Sequence, residues 1–252
     1  MTVRELYAAL CRRFPATLSA EWDNDGLMLS PDPEAPVRHV LCTLDATQEA
    51  LEAARSIGAD VVLSHHPMIF RPLSSVTPDT PTGRRAILAL SAGLSVLSFH
   101  TRADAAEGGV NDLLAASLGL ADATPFGDGL GRIASLASPT PLDGFCAAVR
   151  ASLGSPLLLV GDAHRPVLRV ALVGGSGKDE ISAAIAAGAD TLLSGRLSYE
   201  TVNEAEELGI NLIEAGHFYT EAPLMRHLAA WIPEQFPDVK TTYFDSCRVS
   251  VK

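Results

Sequence analysis

The chain has 252 residues, 47% of them hydrophobic, and its 30 acidic and 19 basic side chains give a formal net charge of −11. This size and composition predict a sizeable core, in one large domain or in two closely joined ones. The acidic balance argues against a surface that binds nucleic acid or an acidic membrane, because such surfaces need clustered lysine and arginine.

The cysteines and the first residues predict the cellular setting. No Cys-x-x-Cys pair occurs among Cys11, Cys42, Cys146 and Cys247, so we expect reduced and mostly buried thiols. Charged residues interrupt the apolar stretch that a signal peptide would need near the N-terminus, and no apolar run approaches the length of a membrane span. These features predict a cytoplasmic protein without a membrane partner.

The first part of the chain predicts an amphipathic helix and then alternating strands and helices. Leu6 and Leu10 recur on one face of the first helix. Asp45 and Gln48 have the spacing of a capping box at the start of the second helix. In chain order we expect a helix at 3–14, a strand at 37–44, a helix at 50–57, a strand at 60–64, a loop at 71–83, a helix at 84–92, a strand at 94–99 and a helix at 110–118.

The second part repeats this plan at an offset of 130 residues. Residues 37–64 align without gaps on residues 167–194, and nine of these 28 positions are identical. Such repetition predicts an α/β fold of two duplicated halves, at 1–124 and 125–252, with parallel or mixed sheets. The halves are either separate or intertwined in one structural unit. Their connection contains a helix near 143–153, and a last strand covers 241–251.

The repeat also relates two pairs of candidate ligands. With a gap of one residue, His100-x-x-x-Asp104 falls on His217-x-x-x-Glu221, so each half carries a histidine and a carboxylate just after a strand. The carboxyl ends of strands are where α/β sheets place their ligands. We therefore expect a metal cleft that the two halves share.

The pair His65-His66 directly follows the strand at 60–64 and occurs in the first half alone. Successive residues leaving a strand point in opposite directions, so each histidine can serve one of two neighbouring ions. The alternative is a pair of polar loop histidines. Asp104, expected in a loop, is a candidate ligand or a turn cap, and His100 is a candidate general acid or base.

The segment from His217 to Glu221 also allows two interpretations. Thr220 is a plausible N-cap that would place Glu221 in the first turn of a helix, where a carboxylate complements the helix dipole. The stretch Gly174–Lys178 lacks the hydroxyl residue of a P-loop and predicts a tight strand-to-helix turn instead. Helix capping explains Asp45, while Asp23 and Asn24 are polar turn residues without an assigned role.

Taken together, these motifs resemble the Nif-three-like dinuclear metal centre family, also labelled GTP cyclohydrolase I type 2 homologues. The resemblance implies that Glu221 bridges two ions, with His65 and His217 on one and His66 and Asp104 on the other. It also implies a ring-shaped hexamer. The matching stretches are Trp22 to Leu27, Ser64 to Phe70, His100 to Asp112, Gly188 to Gly195 and Ala215 to Glu221.

Two positions depart from the family pattern. Asp25 stands where a small apolar residue is usual, and Arg102-Ala103 replaces the commoner Asn-Leu. Neither is a proposed ligand, but Arg102 is a candidate to change what the pocket accepts.

Imidazole and carboxylate ligands suit two divalent ions of Zn, Fe, Mn, Co or Ni. Two such ions exceed the charge of two carboxylates, so the site favours a small anionic substrate. The function expected from the resemblance is a metal-dependent hydrolase similar to GTP cyclohydrolase I type 2. The alternative is a non-catalytic, metal-binding or regulatory hexamer that binds a protein partner.

Overall fold

A computed structural model of the chain describes residues 1–249, which form two compact units. The first unit contains Met1–Ala106 and Leu224–Val249, and the second contains Glu107–Pro223. The predicted halves divide the chain by its sequence repeat, whereas these two units divide it by contacts in space. The two divisions therefore differ, and the halves stay a prediction. Within the described residues, no helix combines the length and the hydrophobicity needed to cross a bilayer.

The first unit begins with a helix whose cap is visible in the sequence. Thr2 and Glu5 form a reciprocal capping box, and Leu6 and Leu10 are buried on its inner face. The elements of this unit are the helices Val3–Arg13 (α1), Gln48–Ser56 (α2), Pro81–Ser91 (α3) and Thr101–Ala105 (α4), and the strands Gly26–Leu29 (β1), His39–Asp45 (β2), Val61–His66 (β3) and Ser95–Ser98 (β4). A last strand, Lys240–Phe244 (β11), belongs to the same unit.

These strands form a mixed five-stranded sheet in the order β1-β4-β3-β2-β11. The strands β2, β3, β4 and β11 are parallel, and β1 pairs antiparallel with β4. The central strands are buried along almost their whole length, because helices cover parallel strands. Apolar residues of α2 and α3 pack on the sheet in one core cluster.

The second unit contains a six-stranded mixed sheet. Its strands are Thr124–Phe126 (β5), Gly131–Pro141 (β6), Leu158–Val160 (β7), Pro166–Ser176 (β8), Thr191–Arg196 (β9) and Asn211–Glu214 (β10), in the order β5-β6-β8-β9-β10-β7. Its helices are Val110–Ser117 (α5), Leu142–Leu153 (α6), Ile181–Ala186 (α7) and Tyr199–Leu208 (α8). The long helix His217–Gln235 (α9) begins in this unit.

The sequence repeat is also a repeat of structure. Val40 pairs with Val61 in the first sheet, and Val170 pairs with Thr191 in the second, which is the same register at the offset of 130. Asp60 accepts hydrogen bonds from two successive backbone N–H groups at the start of β2, and Asp190 does the same at the start of β8. Both sheets are mixed, so the predicted α/β class with duplicated sheets is confirmed.

Several local predictions were wrong. Asp104 lies in the short helix α4 and not in a loop, and α3 begins at Pro81, inside the predicted loop. The connection between the repeats contains three strands, β5 to β7, which its glycine and proline content concealed. The last strand is Lys240–Phe244, and the end of its predicted range, residues 250 and 251, lies outside the described residues.

The thiols are buried, as predicted, at two of the four cysteines. Cys42 and Cys146 are buried, Cys11 and Cys247 are half-buried, and all four are free thiols.

Candidate metal centre

His65 and His66 are the last two residues of β3. Burial of His65 is complete, and its Nδ1 lies 2.8 Å from the carbonyl oxygen of Phe99, the residue that follows β4. A carbonyl oxygen can only accept a hydrogen bond, so Nδ1 carries the proton and Nε2 of the neutral ring carries the lone pair. Nε2 with its lone pair is the form of histidine that binds a metal.

The ring of His66 is oriented by Asp45, for which the sequence predicts helix capping. The distance between His66 Nδ1 and Asp45 Oδ1 is 2.7 Å, and the two residues are partners in the parallel pairing of β2 and β3. Ser246 donates its hydroxyl to the other oxygen of Asp45, at 3.1 Å. The cap of α2 is Thr47, whose side chain accepts from Ala50 N. The capping role predicted for Asp45 is therefore wrong.

A carboxylate also orients His100, and this one belongs to a buried side chain, that of Asp23. Asp23 Oδ1 lies 2.9 Å from His100 Nδ1, and its other oxygen accepts from the backbone N–H and the hydroxyl of Thr101. Burial alone would raise the pKa of Asp23, but the hydrogen bonds from His100 and Thr101 outweigh it and hold that pKa well below its ordinary value. Asp23, which had no predicted role, is thus a support for the candidate acid or base.

These three imidazoles form one cluster within the first unit. Ring centroids lie 5.1 Å apart for His65 and His66, 5.2 Å for His65 and His100, and 5.6 Å for His66 and His100. One ring nitrogen from each lies within 4.8 Å of the others, which is close enough for a shared metal ion. His100, predicted as an acid or base, therefore also has the position of a ligand.

Asp104 adds a carboxylate to this cluster. It lies in α4, it is almost fully buried, and its Oδ1 is 3.5 Å from His65 Nε2. The resemblance assigns this carboxylate to the ion of His66, whereas the contact seen in the structure is with His65.

The two departures from the family pattern form an ion pair with each other. Arg102 donates two hydrogen bonds to Asp25, at 2.6 and 2.9 Å, and both side chains are 3% exposed. Burial acts to lower the pKa of Arg102, but its bonds and charge contact with Asp25 raise it above its ordinary value. Arg102 is enclosed in this pair, and its effect on what the pocket accepts stays a prediction.

In the second unit, His217 and Glu221 lie one turn apart on α9. The distance between His217 Nε2 and Glu221 Oε2 is 3.0 Å, and the Glu221 side chain is 4% exposed. The helix begins at His217, so Thr220 is inside its first turn and is not the predicted N-cap. The Thr220 hydroxyl instead accepts from Gly175 N, at 3.1 Å.

Glycines make room for these two side chains. Gly175 has a φ of +65°, and a Cβ there would overlap Glu221 Oε1. A Cβ on Gly195 would overlap the Thr220 hydroxyl and lie 2.8 Å from His217 Cα. Gly195 is the repeat equivalent of His65, so the start of α9 occupies the space that a histidine would need there. In the Gly174–Lys178 stretch, Gly174 and Gly175 lie in β8, where the pairing with β9 is irregular. Gly175 there lets the backbone pack closely against the Glu221 side chain.

The structure thus brings four of the predicted site residues together in the first unit, His65, His66, His100 and Asp104, and two in the second, His217 and Glu221. A single centre made of ligands from both units stays a prediction. The two supports that sequence reasoning missed, Asp23 and Asp45, are carboxylates in a turn and at a strand end. Asp45 could have been found, because it ends one strand and His66 ends the adjacent parallel strand, which places the two residues side by side.

Comparison with known proteins identifies relatives along the whole chain. A family model described as Duf34/NIF3 (NGG1p interacting factor 3) matches residues 1–248. A Clostridium perfringens protein named GTP cyclohydrolase 1 type 2 homolog is 33% identical over 229 residues, which cover 88% of this chain and 87% of the relative. A Pseudomonas aeruginosa protein of the same name is 35% identical over 217 residues, which cover 84% of each chain.

Solved structures share the fold. The Staphylococcus aureus hypothetical protein SA1388 has a TM-score of 0.91 at 23% identity, covering 100% of this chain and 99% of that one. The protein ybgI, described as of unknown function, has a TM-score of 0.90 at 27% identity, covering 99% of this chain and 100% of that one. With a family model that matches nearly every residue, this chain belongs to the Duf34/NIF3 family.

Proposed function

We propose that the protein binds two divalent transition-metal ions through His65, His66, Asp104, His217 and Glu221 and hydrolyses a nucleotide or another small anionic substrate. The observation that carries this proposal is which ring nitrogen faces a hydrogen-bond acceptor in the histidines of the first unit. In His65 and His66, Nδ1 bonds to an oxygen that can only accept, so Nε2 is the nitrogen whose lone pair a metal can bind.

The donor set fits such ions chemically. Imidazole nitrogens and carboxylate oxygens together suit Zn, Fe, Mn, Co or Ni. The carboxylates of Asp104 and Glu221 are almost fully buried, and a buried anion is favourable where a cation compensates it. Two bound divalent ions would supply Lewis acidity and a water of lowered pKa.

The chain's own residues have two tasks in this proposal. The ligands hold the ions in fixed orientation, since Phe99 O and Asp45 fix the rings of His65 and His66. His100 transfers a proton at Nε2, and Asp23 orients its ring by accepting a hydrogen bond from Nδ1. The relatives' shared name, GTP cyclohydrolase 1 type 2 homolog, supports a nucleotide as the substrate class.

Elemental analysis of the purified protein tests the metal part. We expect close to two transition-metal ions per chain, and a sharp loss in His65→Ala and in Glu221→Gln, each of which removes one donor. His164 is an exposed histidine in a turn and is not one of the proposed ligands. The control variant His164→Ala should therefore keep the full metal content. Equal metal content in all four proteins would contradict the proposed ligand set.

Turnover separates the enzyme from a regulatory metal-binding assembly. Metal-loaded protein is assayed on GTP, other nucleotides and generic phosphoesters, beside Glu221→Gln and His100→Ala. Metal-dependent turnover that both variants lose supports a hydrolase. Full metal content without turnover on any substrate would favour the non-catalytic assembly, and light scattering of the same sample would test the predicted hexamer.

A further inference from the structure

We propose that Trp22 and Phe70 form a platform on which a planar heteroaromatic ring of the substrate stacks, beside the histidine cluster. Trp22 is 66% exposed and Phe70 is 44% exposed. Their ring centroids lie 6.1 Å apart, and each lies 6.2 Å from the ring of His100. This platform rests on the proposed function, because it recognises the substrate of the same centre.

The platform is built on a buried framework. The residues that follow Trp22 are tied down: Asp23 bonds to His100 and Thr101, Asn24 donates to the carbonyl of Ile69, and Asp25 pairs with Arg102. The bond from Asn24 joins the turn that carries Trp22 to the segment that carries Phe70. Two exposed rings are thereby held side by side, although burial would be the more favourable position for them.

Trp22 and Phe70 are inclined at 63° to each other, so a flat ligand ring stacks on one of them and meets the other edge to face. The three rings meet edge to face, at interplanar angles of 63°, 76° and 86°. An exposed tryptophan and phenylalanine bind any nucleobase by stacking, because every base has a π-face. A phosphate or a sugar offers no such face. The platform therefore assigns the substrate to the heteroaromatic anions, such as a nucleotide, and not to the simple phosphoesters.

Fluorescence of Trp22 provides a direct readout. The chain has two tryptophans, so Trp231→Phe leaves Trp22 as the sole indole. This variant, loaded with metal, is titrated with GTP and ATP and, in parallel, with inorganic triphosphate and ribose 5-phosphate. We expect saturable quenching with the two nucleotides and none with the two probes that lack a ring.

Substitution measures the contribution of each ring to binding, by calorimetry with GTP. Trp22→Leu and Phe70→Leu should each weaken binding about tenfold, the size expected for the loss of one stacked or edge-to-face aromatic contact. Trp22→Phe keeps an aromatic ring at this position and should therefore retain most of the wild-type affinity. Tyr199→Leu is the matched control, because Tyr199 is also an exposed aromatic residue, at 76%, and lies in the second unit.

Three results would overturn the platform. They are equal affinity for GTP and inorganic triphosphate, unchanged GTP affinity in both leucine variants, or a changed oligomer size in Trp22→Leu by light scattering, which would make the ring pair a subunit contact. Metal content of the same variants keeps the two proposals distinct. Full metal content with any of these results rejects the platform alone, whereas Trp22-dependent binding of GTP to protein that takes up no metal rejects the metal centre alone.

Discussion

At the scale of single residues, the candidate centre depends on the acceptor behind each imidazole. Phe99 O, Asp45 and Asp23 fix which nitrogen of His65, His66 and His100 carries the proton. Such partners orient a ligand and raise its basicity, so their loss typically weakens metal binding about 10- to 100-fold. These acceptors are therefore the most informative positions for mutation.

Replacing Asp45 by alanine removes the acceptor from His66 Nδ1. Because the Asp45 side chain is 38% exposed, we expect little loss of stability but metal binding about 10- to 100-fold weaker, measured by competition with a chelator. Glu52→Gln, on the exposed face of α2, should bind metal like the wild type. Unchanged affinity in Asp45→Ala would show that the ring of His66 needs no such support.

Gly175 and Gly209 separate backbone strain from steric overlap. Both have a positive φ, +65° and +71°, but a Cβ on Gly175 would overlap Glu221 Oε1, whereas one on Gly209 meets nothing within 4 Å. Alanine in this conformation costs roughly 1–2 kcal/mol at either position. We expect only Gly175→Ala to lose metal in elemental analysis, because its methyl group displaces the Glu221 carboxylate. Equal metal content in the two variants would contradict this role of Gly175.

At the scale of elements, the turn between Trp22 and Gly26 is joined to the start of α4 by a buried ion pair. Arg102→Ala or Asp25→Ala alone leaves an uncompensated buried charge, which costs about 3–5 kcal/mol. The double variant removes both charges, so its free energy of unfolding in urea should fall by less than the sum of the two single losses. Additive losses would mean that the two side chains contribute independently.

The parallel strands of each sheet could be predicted from the sequence because they are local and repeated. Residues 37–64 and 167–194 share an apolar pattern and turn residues at the same spacing, and they form strands with the same register. The strands β5 to β7 could not be predicted in this way. They are short or partly exposed, and pairing rather than their own pattern makes them strands: β6 pairs with β8 and β7 with β10, while β5 pairs with the neighbouring β6.

At the scale of the whole molecule, burial controls the reactivity of the thiols. Burial raises the pKa of Cys42 to about 12, and it also raises that of Cys146. In native protein at pH 8, a disulfide reagent should therefore titrate Cys11 and Cys247 alone, and all four thiols after unfolding. Rapid reaction of four thiols in the native state would contradict this burial.

The burial of Cys42 also predicts that the free energy of unfolding depends on pH. The unfolded chain releases the proton of Cys42 near its ordinary pKa of 9.0, but the folded chain retains it until about 12. The contribution of this thiol to the free energy of unfolding is therefore complete below pH 9 and declines as the pH rises towards 12. Cys42→Ala should show a weaker decline in denaturant titrations across that range.

The sequence by itself determined the α/β class, the duplication and the residue types that suit a metal, because these follow from local periodicity and from side-chain chemistry. Only the tertiary structure decided which acceptor supports each ring, that Asp25 and Arg102 neutralise each other, and that Trp22 and Phe70 lie side by side. These residues are far apart in the chain, and a local sequence pattern does not show how close they lie in the folded protein. Hydrogen bonding and burial in the folded units set these distances.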